Sequence, residues 1–374
     1  MKKIIYLDNA ATTRVYPEVA EEMKKYLTEE YGNPSSIHSL GDRAAEAVKI
    51  AREKIAKEIG AKPWEIIFTS GGTEANNLAI NGLGIANNKK KKIIISSMEH
   101  PSVSELCKFL QNWGYKIAEI PVDKEGIVNI DKLEKEIDDE TLLVSIMHVN
   151  NEIGTMQDIK RIGEICRQKR VYFHTDAVQS FGKLNIDVNN MKIDLLSASG
   201  HKIGGPKGIG FLYIREGVKI SPIMIGGGQE RGFRSGTENV AGIAGFAKAL
   251  DLTKKVNKDK IIKLRYTLIF ELEKICGKIN GSKTKRIYNN VNISFPGIEG
   301  DTAVIYLSEK GIMCSTGSAC KSKHLEQSKV LKAIGLNDKE ISGSLRFTLN
   351  EDISEKDINY IVSEVDKVVK KLRI

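Results

Sequence analysis

Cysteine and tryptophan are scarce in this chain, and long apolar runs are missing. Among 374 residues there are five cysteines and two tryptophans. The cysteines (Cys107, Cys166, Cys276, Cys314 and Cys320) form an odd, scattered set with no CxxC spacing. That excludes a disulfide framework, gives no zinc site, and leads to the expectation of a reducing, cytoplasmic setting. No stretch approaches the ~20 apolar residues that span a bilayer. Only Ile4 to Leu7 separate the first lysines from Asp8, too short a run for a signal peptide, so no membrane partner is expected. Repeats and proline- or serine-rich segments are also absent, as expected of a soluble globular protein. The formal net charge is +9, yet basic residues are interspersed with acidic ones. The one run, Lys89 to Lys92, reads as a solvated loop before a strand, and no helix-turn-helix segment is appended. Direct nucleic-acid binding is therefore not expected.

What is present is an alternation of two periodicities, in a chain long enough for a large domain and a smaller one. Gly41 to Ile59 repeats apolar residues (Ala44, Ala45, Val48, Ala51, Ile55, Ile59) at threes and fours, with Gly60 placed to end the helix. Glu65 to Thr69, Ile93 to Ser97, Ile117 to Val122, Leu142 to Val149, Val171 to His174, Asp194 to Ala198 and Gly210 to Ile214 read as buried strands. Helical patterns such as Ile159 to Gln168 lie between most of them. This α/β alternation predicts a largely parallel sheet covered on both faces, with ligands collected at the carboxyl ends of its strands. Glu238 to Leu250 reads as a helix of small residues. After the charged stretch Lys254 to Lys260 the pattern changes to helix, strand (Asn290 to Phe295), helix, strand and a closing amphipathic helix (Glu355 to Leu372), which places a domain boundary near that stretch.

The strand ends carry the chemistry. Lys202 stands among Gly200, Gly204, Gly205 and Gly208 in SASGHKIGGPKG, where backbone can approach a ligand closely. Alone it reads as a surface lysine; held out of water it becomes an amine able to form an imine with a carbonyl cofactor. Gly71, Gly72 and Thr73 lead from a strand into a helix, either as a plain N-cap or as a phosphate cradle. Asp176, with Gln179 soon after it, serves equally as a capping carboxylate or as a partner for a protonated ring nitrogen. His100 is a structural histidine, a ring stacker or a proton carrier. Together these four signals describe the pattern expected for pyridoxal phosphate (PLP). Far along the chain, Cys320 sits among Ser315, Thr316, Gly317, Ser318 and Ala319 on one side and Lys321, Lys323 and His324 on the other. That polar, basic setting favours thiolate and a nucleophilic role. Cys314, flanked by Ile312 and Met313, reads as a core thiol. Arg346, in a strand-like run, offers a planar fork for a carboxylate or for a surface salt bridge.

With these residues in view the sequence resembles the PLP-dependent cysteine desulfurases of the NifS and IscS type. YLDNAATT, GNPSSIH, TSGGTEANNLAI, EHPSV, HVNNEIG, HTDAVQS, SGHKIGGPKG, GGGQERGFRSGTEN, STGSAC and LRFTLN fall in the family's order almost end to end. The resemblance implies PLP fold type I: a largely parallel, seven-stranded sheet with helices on both faces, plus a smaller α+β domain. It divides the chain into 15–254 as the PLP-binding domain, and 1–14 with 255–374 as the small domain that carries the cysteine loop. It implies Lys202 as the imine-forming lysine, His100 on the ring, Asp176 at the ring nitrogen, Gln179 at the ring oxygen and Asn151 beside ring and substrate. It implies phosphate contacts from Gly72, Thr73, Ser199, Gly200, His201 and, across a homodimer interface, Thr237. Cys320 becomes the persulfide carrier and Arg346 the clamp on the carboxylate of L-cysteine. The spacing from Cys320 to the helical pattern at Leu325 resembles the branch with a long cysteine loop.

By the same resemblance the products are L-alanine and a persulfide, passed to an iron-sulfur scaffold protein, where Cys320 would be a transient cluster ligand, or to another acceptor such as a tRNA-thiolation protein. No intrinsic metal is implied. Longer members continue past their last helix, whereas this chain stops at Ile374, which makes the scaffold the weakest of the implied partners. A selenocysteine lyase or an aminotransferase on the same framework is the alternative, and an aminotransferase has no use for Cys320.

Overall fold

The computed structural model describes residues 3–87, 89–316 and 327–373. Its centre is a seven-stranded sheet in the order Ile66–Thr69, Gly210–Ile214, Leu195–Ser199, Tyr172–Asp176, Thr141–Ser145, Lys92–Ser96, Lys116–Ile120. The last five are mutually parallel, and Gly210–Ile214 runs antiparallel to both of its neighbours. Successive residues of these strands face opposite cores, as a period of two requires. Ile94, Phe173, Leu196 and Phe211 belong to one apolar cluster, whereas Ile93, Ile95, Leu195 and Leu212 belong to another. The first is covered by helices Ser39–Glu58, Ile159–Gln168 and Val240–Thr253, the second by Gly72–Ala86 and Pro101–Gln111. Both faces of the sheet are thus dry, as parallel sheets generally need.

Helix Ile159–Gln168 and the closing helix Glu355–Leu372 span the expected residues. Ser39–Glu58 ends as the glycine predicts: Gly60 takes φ +68°, Gly60 N and Ala61 N reach back to Lys57 O and Ala56 O, and the last turn is closed. Of its expected buried face, Ala45 is only half-buried, and Ala47 and Ala56 take part instead. Glu65 is not in the strand. It lies in the short 3-10 turn Pro63–Glu65, where its buried carboxylate accepts from Lys62 N and Glu216 N. The strand expected over Leu142 to Val149 ends at Ser145; Ile146 N and His148 N still bond His174 O and Asp176 O of the neighbouring strand, and Val149 pairs instead with Met156.

A separate antiparallel sheet has the order Ser315–Thr316, Ser344–Thr348, Asn290–Ser294, Lys278–Ile279. With helices Lys258–Lys274, Gly300–Glu309 and Glu355–Leu372 it encloses its own apolar cluster, which also takes in Ile5 and Leu7 from the N-terminus. Ile5–Tyr6 pairs in parallel with Ile312–Met313. The N-terminal segment therefore leaves this second core at Leu7 and enters the first near Val15 and Tyr16. In between, residues 8–13 are drawn across the carboxyl edge of the large sheet.

Candidate active site

At that edge five strand ends converge. Ile66–Thr69 runs into helix Gly72–Ala86, Lys92–Ser96 leads to His100, Thr141–Ser145 to Asn151, Tyr172–Asp176 ends on Asp176, and Leu195–Ser199 passes into the short turn Gly200–Lys202. They enclose a cavity of about 250 Å³. Of the residues singled out in the sequence, Gly72, Thr73, His100, Asn151, Asp176, Gln179, Ser199, His201, Lys202 and Arg346 all line it. Gly200 is buried just behind, its N–H bonded to Ile209 O. Thr237 is not brought to this cavity; it is exposed in the loop before helix Val240–Thr253. Cys320 lies outside the described residues.

Asp176, His100 and His201 are each held by named partners. Asp176 accepts from Asn76 Nδ2 at 2.8 Å through one oxygen and from Val178 N at 2.9 Å through the other. His100 caps helix Pro101–Gln111: its Nδ1 accepts from Ser102 N at 3.1 Å, which assigns the proton of the neutral ring to Nε2. Burial is the main reason its proton affinity falls below the ordinary histidine range. The Lys202 charge adds to that, and Asp176 opposes it. His201, bonded to Thr12 through Nδ1, is pushed down to about 4 by burial and by the lysines around it. Both imidazoles are therefore neutral at pH 7. Glu99, next to His100, is pushed up to about 8 by complete burial, so it adds no negative charge near Asp176 at neutral pH.

Lys202 Nζ donates to Ala10 O at 2.6 Å and Ala11 O at 2.7 Å, and Gln179 Nε2 donates to the same Ala10 O at 2.9 Å. Arg346 reaches in from the small sheet with its side chain 2% exposed. Its Nη2 pairs with Asp8 Oδ1 at 2.7 Å, and its Nη1 donates to Asn151 O at 3.0 Å. It is a buried ion pair, so the surface-bridge reading of Arg346 is set aside. Its Nε has no partner among the described residues. Cys314 is buried in the second core, its thiol pushed up to about 12 by burial.

Sequence reasoning gave no role to Asn76, Ser102 or Asp8. Asn76 had a usable signal: it follows Thr73 by three residues and Gly72 by four, and so shares their helix face. Asp8 had none, since its partner Arg346 is 338 positions away.

The class-V aminotransferase family model matches residues 5–361. The chain is 48% identical over 381 residues to a cysteine desulfurase IscS of Clostridium botulinum, covering 100% of this chain and 96% of that one. Among solved structures, it is similar to a NifS-like protein with a TM-score of 0.93 and 38% identity over 100% of both chains. It is also similar to SspA in complex with cysteine, with a TM-score of 0.85 and 37% identity over 94% of this chain and 99% of that one.

Proposed function

Because the chain belongs to the class-V aminotransferase family, and within it to the cysteine desulfurases of the IscS and NifS type, we propose that it takes sulfur from L-cysteine, leaving L-alanine, with PLP held in the 250 Å³ cavity and Cys320 as the sulfur carrier. The observation that supports this most is the convergence of Lys202, Asp176, His100 and the N-terminus of helix Gly72–Ala86 on one cavity.

The donor set suits the cofactor. A Cβ at Gly72 would lie 2.6 Å from Val178 Cγ2, so only glycine lets the helix N-terminus come this close to the strand end. Thr73, Ser199 and the His201 ring stand around that N-terminus, and its free N–H groups and positive dipole end suit a phosphate. Thr237 of a second copy would complete the phosphate site, in a homodimer. Asp176, braced by Asn76, would partner the ring nitrogen, the neutral His100 ring would pack on the cofactor, and Gln179 would serve the ring oxygen.

When bound, PLP supplies an electron sink for the negative charge left at the substrate Cα. The chain's residues do the remainder. Arg346 and Asn151 hold the carboxylate of cysteine, the former by two parallel hydrogen bonds once its geometry adjusts to share Asp8. Lys202, as a free amine, takes the Cα proton and returns it. The Cys320 thiolate attacks the substrate sulfur; the Cβ–S bond of cysteine breaks, its electron pair stays with the carbon skeleton that is protonated to alanine, and the sulfur remains on Cys320 as a persulfide for acceptors such as an iron-sulfur scaffold or a tRNA-thiolation protein. Among the described residues no helix is long and apolar enough to cross a membrane, and four cysteines are free thiols; both support a cytoplasmic enzyme.

Purified protein given PLP and cysteine is expected to form alanine stoichiometrically and to release sulfide once a reductant is added. Lys202→Ala abolishes turnover, and Cys320→Ser still changes the absorbance of the bound chromophore with cysteine but releases no sulfur. Sulfide production at the normal rate by Cys320→Ser rejects Cys320 as the carrier.

A further inference from the structure

One more amine stands in the wall of this site with no part in the function above. Lys183 follows Gln179 by four residues in the turn 177–184, where Phe181 N and Leu184 N bond Ala177 O and Ser180 O, so the two side chains share a face. Lys183 is 6% exposed, and its Nζ donates to Gln179 Oε1 at 3.5 Å. Gln179 passes the contact on to Ala10 O, the oxygen that also receives Lys202 Nζ. Lys183 and Lys202 line a second cavity, of about 280 Å³. Lys202 is the single residue common to the linings of the two cavities, and so forms the partition between them.

No carboxylate pairs with Lys183 among the described residues. The acids of the second cavity are engaged elsewhere: Glu351 accepts from Tyr16 Oη at 2.7 Å, and Asp352 accepts from Asn350. Of the charged groups nearby, Lys202 is the one that acts on Lys183; Arg14, Glu351 and Asp352 stand elsewhere on the cavity wall, Lys258 Nζ donates to the Lys183 backbone carbonyl at 2.7 Å, and His201 is neutral. A buried ammonium without a counter-ion is costly. Burial first, and then the Lys202 charge, push Lys183 down to about 7. The repulsion between the two nitrogens is mutual.

We propose that Lys183 is a positioning residue for Lys202: a buried second amine that, by like-charge repulsion and by its hold on Gln179, disfavours a proton on the Lys202 nitrogen. A nucleophilic amine must shed that proton before it can attack a carbonyl. The inference rests on the reading of Lys202 as the PLP-capturing lysine. The pressure is present while Lys183 is charged, below its own midpoint, and vanishes as pH rises through it.

The test is a pH titration of the absorbance of bound PLP in the wild type, Lys183→Met and Lys183→Arg, between about pH 6 and pH 10. Removing the charge in Lys183→Met is expected to raise the midpoint by at least about half a unit, roughly a threefold rise in proton affinity. Lys183→Arg, which stays charged across the whole range, should hold the midpoint at or below the wild-type value. If the methionine variant does not fold, Lys183→Gln, which retains a polar partner for Gln179, is read in the same way. A wild-type midpoint in the charge-free variant overturns the inference, as does an arginine variant that titrates like the methionine one. Failure of the wild type to form any chromophore with PLP instead rejects the reading of Lys202 and, with it, this one.

Discussion

At the scale of single residues, burial sets the charge state of the site's imidazoles, and hydrogen bonds to named neighbours orient Asp176, Lys202 and Arg346. Asn76 illustrates the second point. Its amide is one of two donors to the Asp176 side chain among the described residues, and a hydrogen bond to a charged acceptor contributes about 1.5–3 kcal/mol. Asn76→Ala should therefore weaken PLP binding by about tenfold or more, measured by absorbance titration of the apoenzyme, with little loss of helix content by circular dichroism. The histidines illustrate the first. Burial pushes His148 and His174 down to about 4, and burial helped by nearby lysines does the same to His201. In the unfolded chain each takes up its proton near the ordinary value of 6.5, so between 6.5 and 4 the unfolded state binds more protons and stability is lost as pH falls. His174 is held between Ser145 and Ser197 and alone contributes on the order of 3 kcal/mol across that window. Thermal melts of the wild type should drop steeply between about pH 6.5 and pH 4, and His174→Gln should flatten that limb. Legibility at this scale followed separation along the chain. Lys202, His100 and Asp176 each stand at the end of a readable strand, whereas Asp8 acquires its meaning only when Arg346 is brought to it.

At the scale of elements, local pattern was a good guide where a residue type forced the backbone. Gly60 stops helix Ser39–Glu58 with φ +68°. A Cβ there meets nothing closer than Asp187 Oδ1 at 3.4 Å, so Gly60→Ala carries only the cost of a left-handed conformation. That cost is about 1–2 kcal/mol, read as a lower urea midpoint with unchanged turnover. The strand ends were less legible. Thr141–Ser145 is shorter than the apolar run that suggested it: Ile146 N and His148 N still reach His174 O and Asp176 O of the neighbouring strand, but Val149 pairs back on Met156 across the turn that follows. The two-residue strands Lys278–Ile279 and Ser315–Thr316 have too little sequence to show a period and exist only through their neighbours. Such contacts are also what places residues 8–13, a segment with no regular structure in the sequence pattern, over the carboxyl edge of the sheet.

At the scale of the whole molecule, the fold brings one wall of the site from each core: Asp176, His100 and Lys202 from the large sheet, and Arg346 from the small one. The division we propose, 15–254 against 1–14 with 255–374, is supported by the way the apolar clusters separate, with Leu7 and Val256 on one side and Val15 and Leu252 on the other. Such an arrangement lets substrate carboxylate binding by Arg346 draw on contacts remote from the reacting carbon. The proposed role of Thr237 belongs to this scale too, since its exposed position in one chain would join the phosphate site only in a homodimer. Two lysines, Lys183 and Lys202, are linked through Gln179 and Ala10 O, so the decisive question is which of them captures the cofactor. Reduction of the PLP-loaded protein with borohydride, followed by peptide mapping, answers it: the phosphopyridoxyl label is expected on Lys202 alone, and its appearance on Lys183, on another lysine or on none would contradict the account.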